Sequence, residues 1–323
     1  MYQPLQIVLQ GDSVHVINRD FFTPVSAYDI TCDTIVVDGE RLLNVAAHLR
    51  EATPWAEKGF VVASEQFVLS PYVFPKPVVP AAAPRVAPGS IAIRGNALTA
   101  WLVDGQNRLQ APLEPYFWKP ENDNQHAAGF ADRVAVWKEV KDVKVTYTIL
   151  NERSVLVDVR YQPTGQEARP VIPKLGMRMR LPADMTSIAY YGRGPWENYP
   201  DRKRSAFLGR YQMPLSQFET EYVHPQDNGC RTDVRWFNIS NGRRTLRIEG
   251  LQPLCIRAWD YGEEDLEGVR HPHEIQRNRF VNLNIDLNIH GVGGIDTWGR
   301  RTLPQYTIDS SKAYHYAFVL SWI

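Results

Sequence analysis

From one end of this chain to the other, apolar side chains recur at every second position. Leu5, Ile7 and Leu9 follow this spacing, as do Val14 and Val16, Val145, Tyr147 and Ile149, Val155, Val157 and Val159, and Tyr314, Tyr316 and Phe318. A period of two puts alternate side chains on one face of a strand, giving each run one face for a core and one for water. The turn-forming pairs Gly11-Asp12, Asp38-Gly39 and Asn241-Gly242 separate several of the runs. The pattern predicts an all-β, antiparallel chain. One segment departs from it: between Arg41 and Arg50, Leu42, Val45, Ala46 and Leu49 stand at helical spacing and read as a short amphipathic helix.

Six prolines and a run of three alanines fall in the stretch Pro71 to Pro88, a composition that suits extended polyproline backbone and not a sheet interior. The reading is a small β-sandwich over 1–72, a proline-rich linker over 73–88 and one large antiparallel domain over 89–323. A chain of 323 residues with 44% hydrophobic content can supply both cores. Lys plus Arg and Asp plus Glu each total 36, so the balance of charge argues against nucleic acid and against an anionic membrane surface as partners. No run approaches the ~18 apolar residues of a membrane span, and the start lacks a secretion signal. The expectation is a soluble protein, cytoplasmic or periplasmic, with an uncharged partner. Nine Trp and fifteen Tyr offer flat faces for sugar rings, although β-cores also favour aromatics. Cys32, Cys230 and Cys255 fit neither a disulfide framework nor a metal or redox motif and read as inert thiols.

Several segments carry candidate chemistry. In Tyr190 to Arg202 (YYGRGPWENYPDR), Glu197 and Asp201 have the residue type of a glycosidase pair, in which one carboxyl protonates the leaving oxygen and the other acts as nucleophile or base. Arg193, Arg202 and Arg204 stand beside them and would lower both carboxyl pKa values, which suits ion pairs in a structural turn better. Phe117 to Gln125 (FWKPENDNQ) leads an aromatic pair into a polar loop, whose side chains are equally suited to sugar hydroxyls and to their own turns. His271 and His273 flank a proline without an obvious third metal ligand, and no hydrolase elbow or phosphate loop is present. His290 to Gly299 (HGVGGIDTWG) ends a glycine-rich turn in Trp298. The glycines free the backbone and clear space for a ligand, and the indole either caps its own core or faces a partner.

At these residues the sequence resembles the C-terminal region of family 2 β-galactosidases. The matching segments are Tyr190 to Arg204, Tyr222 to Arg231 (YVHPQDNGCR), Asn284 to Trp298 (NIDLNIHGVGGIDTW), Tyr314-His315-Tyr316, the Phe117 to Gln125 loop, and Ala52 to Ala56 with Glu65 to Phe67. The resemblance implies an immunoglobulin-like β-sandwich followed by a large antiparallel supersandwich of the galactose mutarotase type. It implies that the catalytic glutamates and any Mg and Na sites lie in a (β/α)8 barrel elsewhere, leaving this chain with no catalytic residue and no cofactor of its own. Implied partners are galactose or a β-galactoside, the barrel domain in the same or a partner chain, and further copies in a homo-oligomer. Trp298 matches a tryptophan that stacks on the sugar, and Asp123 and Asn124 match the start of a loop bordering the site. Gln125 and His126 depart from that loop's pattern. The first module is short for the family, as though a pair of strands between Gly39 and Asn44 were missing. The competing functions are an aldose 1-epimerase with His224 as candidate acid, and a purely structural or oligomerisation module.

Overall fold

The computed structural model describes all residues except Met1, Tyr2, Ala83, residues 166–168 and Thr297. It divides into two compact units, Met1–Val73 and Phe74–Ile323.

In the first unit, β1 (Leu5–Gln10) and β2 (Ser13–Asn18) form a hairpin, and β3 (Tyr28–Val37), β4 (Glu40–Leu49) and β5 (Val61–Ser70) form a three-stranded antiparallel sheet. Leu5 and Ile7 meet Tyr28, Val45, Ala47 and Leu49 in a small core between them. The segment from Arg41 is therefore strand, not helix. Leu42 and Val45 are both fully buried, and residues three apart in a strand point to opposite faces, which on sequence alone resembles helical spacing. Pairing with β3 on one side and β5 on the other decides the matter. Where the sequence suggested missing strands, Asp38 and Gly39 make a two-residue turn with φ of 50° and 84°. The register runs unbroken from Val37↔Glu40 to Tyr28↔Leu49, so the short sandwich is continuous here. Positive φ at both central residues is what a tight hairpin requires, and Asp-Gly supplies it.

Among the described residues, the second unit has thirteen strands in one antiparallel sheet. They are β6 (Ile91–Arg94), β7 (Ala97–Val103), β8 (Gln106–Asn107), β9 (Ala111–Pro115), β10 (Val143–Asn151), β11 (Ser154–Tyr161), β12 (Lys174–Leu181), β13 (Ser187–Gly194), β14 (Phe207–Pro214), β15 (Arg231–Ser240), β16 (Thr245–Trp259), β17 (Val281–Ile289) and β18 (Tyr314–Trp322). The main path runs β10-β11-β18-β16-β17-β12-β9-β7-β6, and β15, β13 and β14 extend from the other edge of β16. The path curls back on itself. Asn96, in the β6–β7 turn, donates to Val143 O and accepts from Val145 N on β10, each at 2.9 Å, and the indoles of Trp101 on β7 and Trp322 on β18 meet edge to face. One core, including Val155, Val157, Val159, Ile248, Ile256, Leu283 and Phe318, fills the space between the curled layers. This is the supersandwich the resemblance implied. Two short helices, α1 (Asp123–Ala127) and α2 (Phe130–Val134), interrupt it between β9 and β10. No described helix is long and apolar enough to cross a membrane.

Candidate functional site: a glycine turn clasped to a short helix

The glycine-rich turn follows β17 and packs against α1. Asn122 caps that helix: its Oδ1 accepts from Gln125 N (2.9 Å), while Gln125 Oε1 accepts from Asn122 N (3.2 Å). Such reciprocal capping satisfies backbone donors that a helix start otherwise leaves open. Gln125 also donates through Nε2 to Gly291 O (2.9 Å), and Asn122 donates through Nδ2 to Val292 O (3.3 Å), 170 residues along the chain. From the opposite side Asp201 clasps the turn, accepting from Val292 N at 3.0 Å and Gly293 N at 2.9 Å. The glycines answer to this packing. A Cβ on Gly291 would sit 2.6 Å from Asp201 Oδ2, and one on Gly294 would sit 2.9 Å from Asn124 Nδ2 on a backbone of φ +81°. The structure thus brings together the two segments that the sequence offered as candidates, joined by Asn122 and Gln125, and it assigns Asp201 to holding the glycine turn.

On this base Trp298 is presented outward. Asp296 Oδ1 accepts from the backbone of Trp298 (3.0 Å) and of Arg300 (3.1 Å), while the indole itself is 91% exposed. It belongs to no buried core cluster among the described residues. Asp123 and Asn124 are both exposed at the start of α1. Asp123 N donates to Gln226 Oε1 (2.9 Å), and the Asp123 carboxylate lies 3.4 Å from His224 Nδ1. Glu197, by contrast, is buried and accepts from Gly229 N (2.8 Å), Arg202 and Tyr222. Both carboxylates of the YYGRGPWENYPDR segment are therefore engaged within the fold.

Beneath the turn lies a buried charged cluster that the sequence did not disclose as such. Arg257 donates to Asp227 and to Glu263 Oε1 (2.9 Å), Lys119 donates to Asp227 Oδ2 (3.2 Å), and Lys174 donates to Asp286 Oδ1 (2.8 Å). Asn282 and Asn284 each donate to Glu263 at 2.9 Å. In this cluster Arg257 Nε and the amide oxygens of the two asparagines have no hydrogen-bond partner among the described residues. Burial pushes the Glu263 pKa up, but Arg257, Arg178 and Lys174 outweigh it and hold the group at about 2. At the cluster's edge His290 lies against Phe130, and its Nδ1 is 2.8 Å from Gly291 O. That carbonyl can only accept, so Nδ1 carries the proton. Burial lowers the His290 pKa to about 4. Cys230 and Cys255 are buried together against Tyr199 and Ile289, while Cys32 is exposed in the first unit. The rings of His271 and His273 stack on each other, and no group of three or more His, Cys, Asp or Glu among the described residues is placed to hold a metal.

Two units built mainly of antiparallel strands, the larger presenting an indole on a clasped turn, define an all-β scaffold without a (β/α)8 barrel among the described residues. Family models match both units: residues 91–320 match the β-galactosidase small chain, and residues 33–70 match β-galactosidase domain 4. The chain belongs to the β-galactosidase small-chain family. A β-galactosidase from Priestia megaterium is 29% identical over 87% of this chain, and one from Lactobacillus delbrueckii subsp. bulgaricus is 28% identical over 87%. The matches take in 31% and 32% of those relatives, so the chain spans about a third of their length. Among solved structures, a galactose mutarotase-like protein from Lactobacillus casei is 11% identical, with a TM-score of 0.29 over 70% of this chain and 74% of its own. At so low a TM-score the strand pairing, not the likeness, describes the fold.

Proposed function

We propose that this chain is the non-catalytic, sugar-facing part of a β-galactosidase. Trp298, with Asp123 and Asn124, forms one wall of a galactoside site whose catalytic carboxylates come from a (β/α)8 barrel in the same or a partner chain, in a homo-oligomer. Retaining hydrolysis needs two carboxyl groups about 5 Å apart on either side of the scissile bond. Glu197 and Asp201 are occupied elsewhere, and the part left for this chain is binding. The indole offers a flat apolar face to the C–H side of a pyranose, and the Asn124 amide and Asp123 carboxylate suit its hydroxyls. The observation that carries this reading is a tryptophan almost fully open to solvent on a backbone fixed by Asp201 and Asp296. The test is hydrolysis of a chromogenic β-galactoside. The chain alone is expected to be inactive, and turnover near the ~10 s⁻¹ of an ordinary enzyme would overturn the reading. In the barrel-containing enzyme, Trp298→Ala is expected to raise KM, and an unchanged KM removes the wall.

The exposed His224–Asp123 pair favours one second reading, an aldose 1-epimerase with these residues as acid and base. Polarimetry on fresh α-galactose decides it, since a mutarotation rate unaffected by the protein eliminates epimerisation.

A further inference from the structure

Beside the clasped turn lies a cleft of about 450 Å³, within the size range of small-molecule sites. Phe130, Val171, Val292 and Leu303 contribute apolar surface, and Arg133, Arg300 and Arg301 contribute guanidinium groups. Among the described residues, no Asp or Glu lines it. None of the three arginines makes an ion pair among the described residues; Arg133 has only a hydrogen bond from Nε to Gly129 O (3.1 Å) and a place over the Phe130 ring. Burial, and then the charge of Arg301, pull the Arg133 pKa down. Like charges gathered in a cleft with no carboxylate among the described lining residues make a receptor for an anion from outside. The apolar surface indicates more than a bare ion, and Asn124, of the proposed sugar wall, also lines the cleft.

We propose that this cleft binds an acidic sugar, its ring against the apolar surface and its carboxylate, phosphate or sulfate group held by Arg133, Arg300 and Arg301. The proposal rests on the sugar-facing reading above and adds a ligand class to it. Calorimetric titration of the chain with galacturonate, galactose 6-phosphate, galactose and inorganic phosphate tests it. At least one acidic sugar is expected to bind about tenfold more tightly than galactose and than inorganic phosphate, with a preference that weakens as salt rises. Arg301→Gln, which removes an exposed group with no ion pair among the described residues, and Arg133→Gln are each expected to reduce that preference. Acidic sugars binding no more tightly than galactose, a preference that survives both substitutions, or inorganic phosphate binding equally well would each overturn the proposal. Trp298→Ala separates the two readings: its effect on neutral galactose bears on the wall, and the acidic-to-neutral ratio bears on the cleft.

Discussion

Two charged regions of the larger unit use their charge in opposite ways. Around Arg257, the carboxylates of Asp227, Glu263 and Asp286 each face a cation, and the whole group is out of water. At the cleft beside the glycine turn, three guanidiniums face no carboxylate among the described residues, and the nearby indole is exposed. A buried charge persists only when the fold supplies its counterpart, whereas an exposed one is satisfied by water and stays available. The denser chemistry is therefore the structural one, and the sparser ledge is where a ligand can still be met.

The sharpest way to break this contrast is inside the cluster. Asp227→Ala leaves Lys119 and Arg257 buried without their shared anion, and is expected to cost about 3–5 kcal/mol by urea denaturation. A loss no larger than that of a surface variant would show the cluster to be less structural than its burial implies. His290 gives the next largest effect. Its pKa is about 4 in the fold against an ordinary 6.5, so the folded chain binds fewer protons than the unfolded one in that window. Its contribution is complete above pH 6.5 and lost as pH falls towards 4, on the order of 3 kcal/mol. Glu263 acts in the same direction lower down, between its ordinary 4.5 and about 2. His290→Gln is expected to flatten the pH dependence of unfolding above pH 4.5 without touching the steeper acid limb. Asp201→Ala removes the acceptor of two backbone N–H groups and is expected to cost about 1–3 kcal/mol, with faster proteolytic cleavage near Gly293. The smallest expected change is in Trp298→Ala, within about 0.5 kcal/mol of wild type, because the indole touches so little of its own chain. A larger loss would mean that Trp298 belongs with the cluster, not the ledge.

The strand layout was legible because period-two runs at Val155 to Val159 and Tyr314 to Phe318 coincide with β11 and β18, and because Gly11, Gly39 and Gly242 mark turns between strands. The segment around Val45 was not, since a strand buried on both faces loses the alternation that distinguishes it from a helix. For the ledge, the resemblance singled out Trp298, Asp123 and Asn124, while how their two segments meet was invisible. The bonds that join them run between positions such as Asn122 and Val292, or Asp201 and Gly293, which lie 170 and 92 residues apart. Asp201 illustrates the limit: a carboxylate beside arginines suggested an ion pair, and its true partners were two backbone N–H groups on a distant turn. The arginine-lined cleft carried no motif, because its three cations come from α2 and from the stretch after Trp298.

β16 is hydrogen-bonded to β15 along one edge, and along the other first to β18 and then to β17. Between these halves the pairing with β15 is irregular, shifting register from Trp236↔Glu249 to Val234↔Leu254, and a Cβ on Gly250 would come within 2.3 Å of Gln252 O. Neither flank of the sheet can detach without stripping this shared strand. The larger unit should consequently behave as a single cooperative block in hydrogen exchange, with the β16 amides among the last to exchange and at a free energy approaching that of global unfolding. Local opening is left to the outlying hairpins and to the turn that carries the tryptophan.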